Sequence, residues 1–279
     1  MIPDYFKKKV KNNPKLYSVW VFYKYKIHIH FRIWNKCILK IIDRKTDEEK
    51  LMINIGGGEF FLRHWRILDF NTDYYRRGYG IIDYFHDLKS PGPFPFRDNQ
   101  VYLFYSSHTL EHIPQKFCQH ILDEIYRCLK PQGAVRLTMP GFDGLKKAYI
   151  NKDNRFFWPY DNMPLEIGFL HWFATYFAQD EGKLTPEEVK EKLKTMSIDE
   201  FVEDLTNKIP EDYQNNNYGH CNWWSYEKLE KMLRKAGFTK MYHSSAQGSK
   251  FKEMRVGDKF RSSFDTTCPH LSAFIEAIK

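Results

Sequence analysis

The chain has 279 residues, 42% hydrophobic and 28% charged, enough for a globular protein with one sizeable core. Its five cysteines (Cys37, Cys118, Cys128, Cys221, Cys268) are odd in number and lack C-x-x-C spacing, which argues against a disulfide framework and a structural zinc site. The net charge of +8 is concentrated in residues 1–46, where twelve Lys/Arg face only Asp4 and Asp43 for a net of +10, leaving −2 for the remainder.

The N-terminal arm, residues 1–50, interleaves bases and aromatics. From Tyr23 to Ile33 the alternation is strict: Tyr23, Tyr25, Ile27, Ile29, Phe31 and Ile33 on one face, Lys24, Lys26, His28, His30 and Arg32 on the other. Period 2 predicts a half-buried strand. Its basic face suits phosphates, those of an anionic membrane surface or of a phosphate-bearing substrate. His28 and His30 have no third ligand nearby, and no metal site is expected. With no signal-peptide pattern and no apolar run of about 18 residues, no spanning helix is expected. Together with the cysteine usage this points to a cytoplasmic protein able to sit peripherally at a membrane.

Residues 51–279 form the body. Leu51-Met52-Ile53-Asn54-Ile55 is an apolar run that stops in Gly56-Gly57-Gly58, the pattern of a buried parallel strand ending in a tight turn. Glycines there let a ligand approach the main chain. The spacing is not G-x-G-x-x-G, which disfavours a nicotinamide dehydrogenase. Trp65–Asn71 reads as a second strand, with Asp69 at its end placed to accept two hydrogen bonds from a vicinal diol. Residues 80–83 are the candidate third strand, followed by a Pro-rich loop at 91–96. Val101–Tyr105 is a fourth strand, running into Ser106-Ser107-His108-Thr109-Leu110-Glu111-His112. A helix is predicted from Gln115 to Leu129 and a fifth strand over Ala134–Met139, ending near Asp143. Strand–crossover–strand repetition predicts an α/β, doubly wound, mostly parallel sheet.

An insertion spans about 151–219. It holds an apolar aromatic stretch, Leu165–Phe177, and two helix starts, Thr185-Pro186-Glu187-Glu188 and Ser197-Ile198-Asp199-Glu200. Two amphipathic helices here would form a lid over the carboxyl ends of the strands. The aromatic residues Trp223 and Trp224, near His220, suit a sugar or nucleoside and equally suit a core.

INIGGG (53–58), PFRDN (95–99), SSHTLEH (106–112), EIYRCLKPQG (124–133) and VRLTMPGFD (135–143) occur in one order. By these motifs the chain resembles the class I S-adenosylmethionine-dependent methyltransferases, in particular a group that often modifies sugars or polysaccharides. YEKLEKMLRKAGF (226–238) is similar to the family's helix before strand six, and LSAFIEAIK (271–279) to its antiparallel strand seven. The resemblance implies a seven-stranded Rossmann-like sheet and S-adenosylmethionine as cofactor. It implies that Gly56 and Gly58, with Gly57 between them, line the methionine part and that Asp69 binds the ribose. Asp87 with Leu88 would face the adenine, and Ser107 and His108 would border the methyl group. Methyl transfer from a sulfonium is an in-line displacement, which a hydroxyl acceptor enters with help from a base. The candidates are His108, His220 and Asp143, with Glu111 and His112 on the turn after strand four. The implied acceptor is a sugar, glycan or sugar nucleotide. A non-catalytic cofactor-binding or docking module remains open. So does a nucleic-acid methyltransferase, which the +10 arm favours and the lack of an Asn-Pro-Pro-Tyr-type loop after strand four disfavours.

Overall fold

In the computed structural model, residues 38, 49–57, 62–70, 82–216, 219–255 and 269–279 are described. The alternating stretch of the arm and Gly58 lie outside the described residues.

Strand β1 (Met52–Ile55) is buried along its whole length and pairs in parallel on both sides, which is why it reads as a continuous apolar run. Around it the sheet takes the order β3-β2-β1-β4-β5-β7-β6. β2 is Trp65–Asp69, β3 is Tyr84–Phe85 and β4 is Val101–Ser107. β5 is Leu129–Pro140, β6 is Lys240–His243 and β7 is Ser272–Ile278. β7 runs antiparallel to both β5 and β6, and the other pairings are parallel. This is the seven-stranded, mostly parallel sheet that the motifs imply. The chain moves outward from β1 to β2 and β3, then returns to start β4 on the other side of β1. The β1/β4 junction is therefore the topological switch point, beyond whose carboxyl end open α/β sheets bind their ligands.

Two strands differ from expectation. Of the candidate third strand, residues 80 and 81 lie outside the described residues; β3 is Tyr84–Phe85, and Asp83 just before it already binds β2, its backbone N–H donating to Ile67 O (3.0 Å) and its Oδ2 accepting from Ile67 N–H (2.9 Å). The fifth begins at Leu129, since Val101 pairs with Leu129 and Leu103 with Ala134, so that residues 130–133 loop out within the strand. Gly133 is required there; a Cβ would lie 2.6 Å from Tyr102 O.

Helix α1 (Gln115–Cys128) and the last helix pack on one face of the sheet, through Ile121, Leu122, Ile125, Leu229 and Leu233. The sequence motifs around α1 form a latch. Glu124 Oε2 accepts from Phe94 N–H (2.7 Å), and Arg127 binds Glu124, Asp98 and the Phe96 carbonyl, fixing the Pro-rich loop to the helix. Across β5 and β7, Arg136 pairs with Glu276 at 2.6 Å, both within 1% of full burial. Ser249 and Tyr242 hydroxyls satisfy the second Glu276 oxygen, as a buried charge requires.

After β5 comes α2 (Phe142–Ile150), then the insertion: α3 (Leu165–Leu170), α4 (Thr175–Gln179), α5 (Pro186–Lys192), α6 (Ile198–Asn207) and α7 (Glu211–Asn216). Both expected helix starts carry complete capping boxes, Thr185 with Glu188 and Ser197 with Glu200. With α2 these short helices enclose a second, largely aromatic core that includes Phe142, Phe157, Phe169, Phe173 and Phe201. Helix α8 (Tyr226–Ala236) starts on the Ser225 cap and ends at Gly237 in the left-handed region (φ 115°). Among the described residues no helix is long and apolar enough to cross a membrane.

Candidate active site

The first wall of the site is the turn after β1. Gly56 sits at φ +64° and donates its N–H to Leu68 O (2.9 Å). A Cβ on it would meet the Thr109 side chain at 2.4 Å, so only glycine lets β1 turn under the loop that follows β4. A Cβ on Gly57 would come within 3.0 Å of Asn54 and Ile67. These two glycines line the carboxyl end of β1, the position the cofactor reading needs.

Asp69 ends β2 beside β3. Its Oδ1 accepts from Phe70 N–H (2.7 Å), which holds the carboxylate at the strand end. Asp87 Oδ1 accepts from Lys89 N–H (2.9 Å) in a local turn, and Leu88 is buried in the sheet core. Asp87 thus caps its own loop and Leu88 anchors it.

The chemistry concentrates after β4. Ser107 accepts from Thr138 Oγ1 (2.9 Å). His108 has φ +49°, a conformation uncommon for a non-glycine residue and a marker of a site held by its surroundings. Its backbone N–H donates to Thr138 O at 2.9 Å. Its ring is held at both nitrogens, with Nδ1 3.0 Å from Glu111 Oε1 and Nε2 2.8 Å from Ser272 Oγ. Glu111 is 1% exposed. Burial opposes its ionisation, but the adjoining His108, by charge and hydrogen bond, and then His112 and His220 outweigh that and bring its pKa down to about 2. A carboxylate that stays ionised beside Nδ1 keeps the proton on that nitrogen and the lone pair on Nε2.

The insertion reaches this turn through its last loop. Cys221 N–H donates to Glu111 O (2.8 Å), and His220 and Thr175 exchange bonds of 2.9 and 3.0 Å. His220 thereby stands against His112, ring centroids 4.8 Å apart, with Trp172 beyond it at 5.9 Å. Desolvation, then the neighbouring His112, push its pKa down to about 3. Burial thus makes this imidazole a weaker base than a solvent-exposed one. Asp143 lies in the first turn of α2 and its Oδ2 accepts from Tyr226 N–H (3.0 Å), so this carboxylate caps α8.

Trp224 is buried in the sheet core. Trp223 packs edge-on to Phe142 and donates to Glu203 Oε2 (2.8 Å). Both tryptophans serve packing. Glu111, His112 and His220 bring donor atoms within 4.8 Å of one another. No sequence spacing announced this cluster, because its members come from turns that meet only in the fold.

Residues 86–243, more than half of the chain, match a family model described as a methyltransferase domain. The chain belongs to the methyltransferase-domain family. No curated protein matches it in sequence. Among solved structures it is similar to Haemonchus contortus phosphoethanolamine N-methyltransferase 2 in complex with S-adenosyl-L-methionine (15% identity, 82% of this chain and 48% of that one, TM-score 0.36). It is also similar to an S-adenosylmethionine-dependent methyltransferase from Archaeoglobus fulgidus (13%, 88% and 94%, 0.39) and to one from Thermotoga maritima (12%, 90% and 99%, 0.39). The chain spans about half the length of the Haemonchus enzyme.

Proposed function

We propose that this domain transfers the methyl group of S-adenosylmethionine to a hydroxyl of a sugar, glycan or sugar nucleotide. The observation that carries the reading is the His108–Glu111 pair at the carboxyl end of β4, beside the glycine turn of β1. The cofactor supplies an activated methyl on a sulfonium. Gly56 and Gly57 let the β1 turn pass close under Thr109, Asn54 and Ile67 at the end where its methionine portion would lie, and Asp69 offers its carboxylate to the ribose. Glu111 orients the His108 ring, and Nε2 takes the proton of the acceptor hydroxyl as the oxygen attacks the methyl. Nε2 is engaged by Ser272 Oγ at 2.8 Å, a contact that the acceptor hydroxyl would replace. Ser107 and Thr138 brace the strand ends around it.

The sugar assignment rests on the motif resemblance and on an oxygen nucleophile's need for a base. The basic arm would hold the domain against an anionic surface on which such acceptors are carried. The test is transfer of labelled methyl to a panel of sugars and sugar nucleotides, by the intact chain and by His108→Gln. The expected result is a loss of 10²–10⁴-fold in kcat with cofactor affinity unchanged. Equal kcat values in the two proteins would remove His108 from the reaction.

A further inference from the structure

We propose that Glu111, His112 and His220 form a binding site for one divalent transition-metal ion, with zinc the best match to the donor set. The donor atoms lie within 4.8 Å of one another. A tetrahedral ion with bonds of about 2.0–2.2 Å holds its ligands about 3.4 Å apart, so the donors would draw together on binding it.

Two independent observations point to a ligand. Glu111 is 1% exposed; its Oε1 is paired with His108 Nδ1 at 3.0 Å, and its Oε2 is buried with no hydrogen-bond partner. Buried carboxylate oxygens are almost always satisfied, and a cation on Oε2 would satisfy this one. His220 Nδ1 is likewise buried without a partner. The second observation concerns the surroundings of the donors. His112 Nδ1 faces the Gly219 carbonyl at 3.4 Å, and a ring whose N–H is turned to a carbonyl presents the lone pair of its other nitrogen, the usual arrangement of a metal-bound histidine. The bonds from Cys221 N–H to Glu111 O and from His220 N–H to Thr175 Oγ1 set the two turns in place before any ion arrives.

Two imidazoles and one carboxylate form the set of open zinc sites, which keep a fourth position for water or substrate. Magnesium and calcium prefer oxygen donors and are disfavoured by the two histidines. An oxygen of the acceptor is the class of ligand that would fill the fourth position. That last point rests on the methyl-transfer reading, whereas the site itself does not.

The test uses the untagged full chain, stripped with a chelator and titrated with cobalt(II), followed by visible d–d absorption, and with zinc, followed by calorimetry. The expected result is about one equivalent bound with a dissociation constant of about a micromolar or tighter. His112→Ala and His220→Ala should each weaken it at least tenfold, and His120→Ala, whose ring is committed to the Gly92 carbonyl, should leave it unchanged. If either alanine variant loses cooperative unfolding, the near-isosteric Glu111→Gln takes its place, with the same tenfold loss expected. Failure of the intact chain to bind an equivalent, or binding that survives these substitutions, would overturn the proposal. Methyl transfer is not the readout, so this result stands apart from the fate of the proposed reaction.

Discussion

The two cores of this molecule are made of different material. The sheet core is aliphatic, built on runs such as Met52–Ile55 and on the α1 and α8 stripes, with backbone bonds shared across seven strands. The core of the insertion is aromatic, with Tyr149 stacked on Phe169 and Tyr160 on His171, and its helices α3–α7 have ten residues or fewer. Helices that short have little stability of their own. The insertion is held by ring packing on α2 and by ties such as Lys146–Asp199, so the half of the site bearing His220 depends on packing, whereas the half bearing Gly56 and Asp69 depends on the sheet.

The comparison can be broken most forcefully at Phe173, which is fully buried among Phe142 and Phe169. Phe173→Ala should cost about 3–5 kcal/mol in the denaturant stability of the insertion. Cofactor binding at the sheet should survive it. A variant that loses both together would show that the two cores are one cooperative unit.

A smaller effect sits at their junction. Lys228 of α8 reaches into the insertion, its Nζ 3.3 Å from Asn222 Oδ1, 4.0 Å from Glu203 and 4.2 Å from the Trp223 ring centroid. Burial brings its pKa down to about 8 from an ordinary 10.5. Between those values the unfolded chain binds the extra proton, so the contribution of Lys228 to stability rises with pH, by about 2 kcal/mol from pH 8 to 9.5 at 1.36 kcal/mol per unit, while the buried thiols of Cys118, Cys128 and Cys221, held above their ordinary pKa, contribute in the opposite sense. The check is chemical denaturation of the intact chain and of Lys228→Met across that range: the stability difference between the two should change with pH by about that amount. A difference that stays constant with pH would remove Lys228 from the pH dependence.

The same contrast explains what the sequence made legible. The Met52–Ile55 run, the Gly56 turn, the Asp69 strand end and the Thr185 and Ser197 caps are local patterns, and each is found where it was expected. The tryptophan pair could not be read that way, since its packing role emerges only with Phe142 and Glu203 in place. Asp143 looked like an active-site acid, but its oxygen goes to the α8 backbone, a contact across 83 residues. The Glu111–His112–His220 grouping was invisible for the same reason: two of its members are adjacent, and the third arrives on a loop that only the folded insertion presents.

The central claim is that the carboxyl ends of β1, β2 and β4 hold S-adenosylmethionine. Calorimetric titration of the intact chain, beside Asp69→Ala, tests it most directly. The account predicts binding with a dissociation constant of about a micromolar in the intact chain. It predicts at least a tenfold loss, about 1.4 kcal/mol, in the variant, with the fold unchanged by circular dichroism. A chain that folds and does not bind the cofactor, or a variant that binds it equally well, would contradict the account.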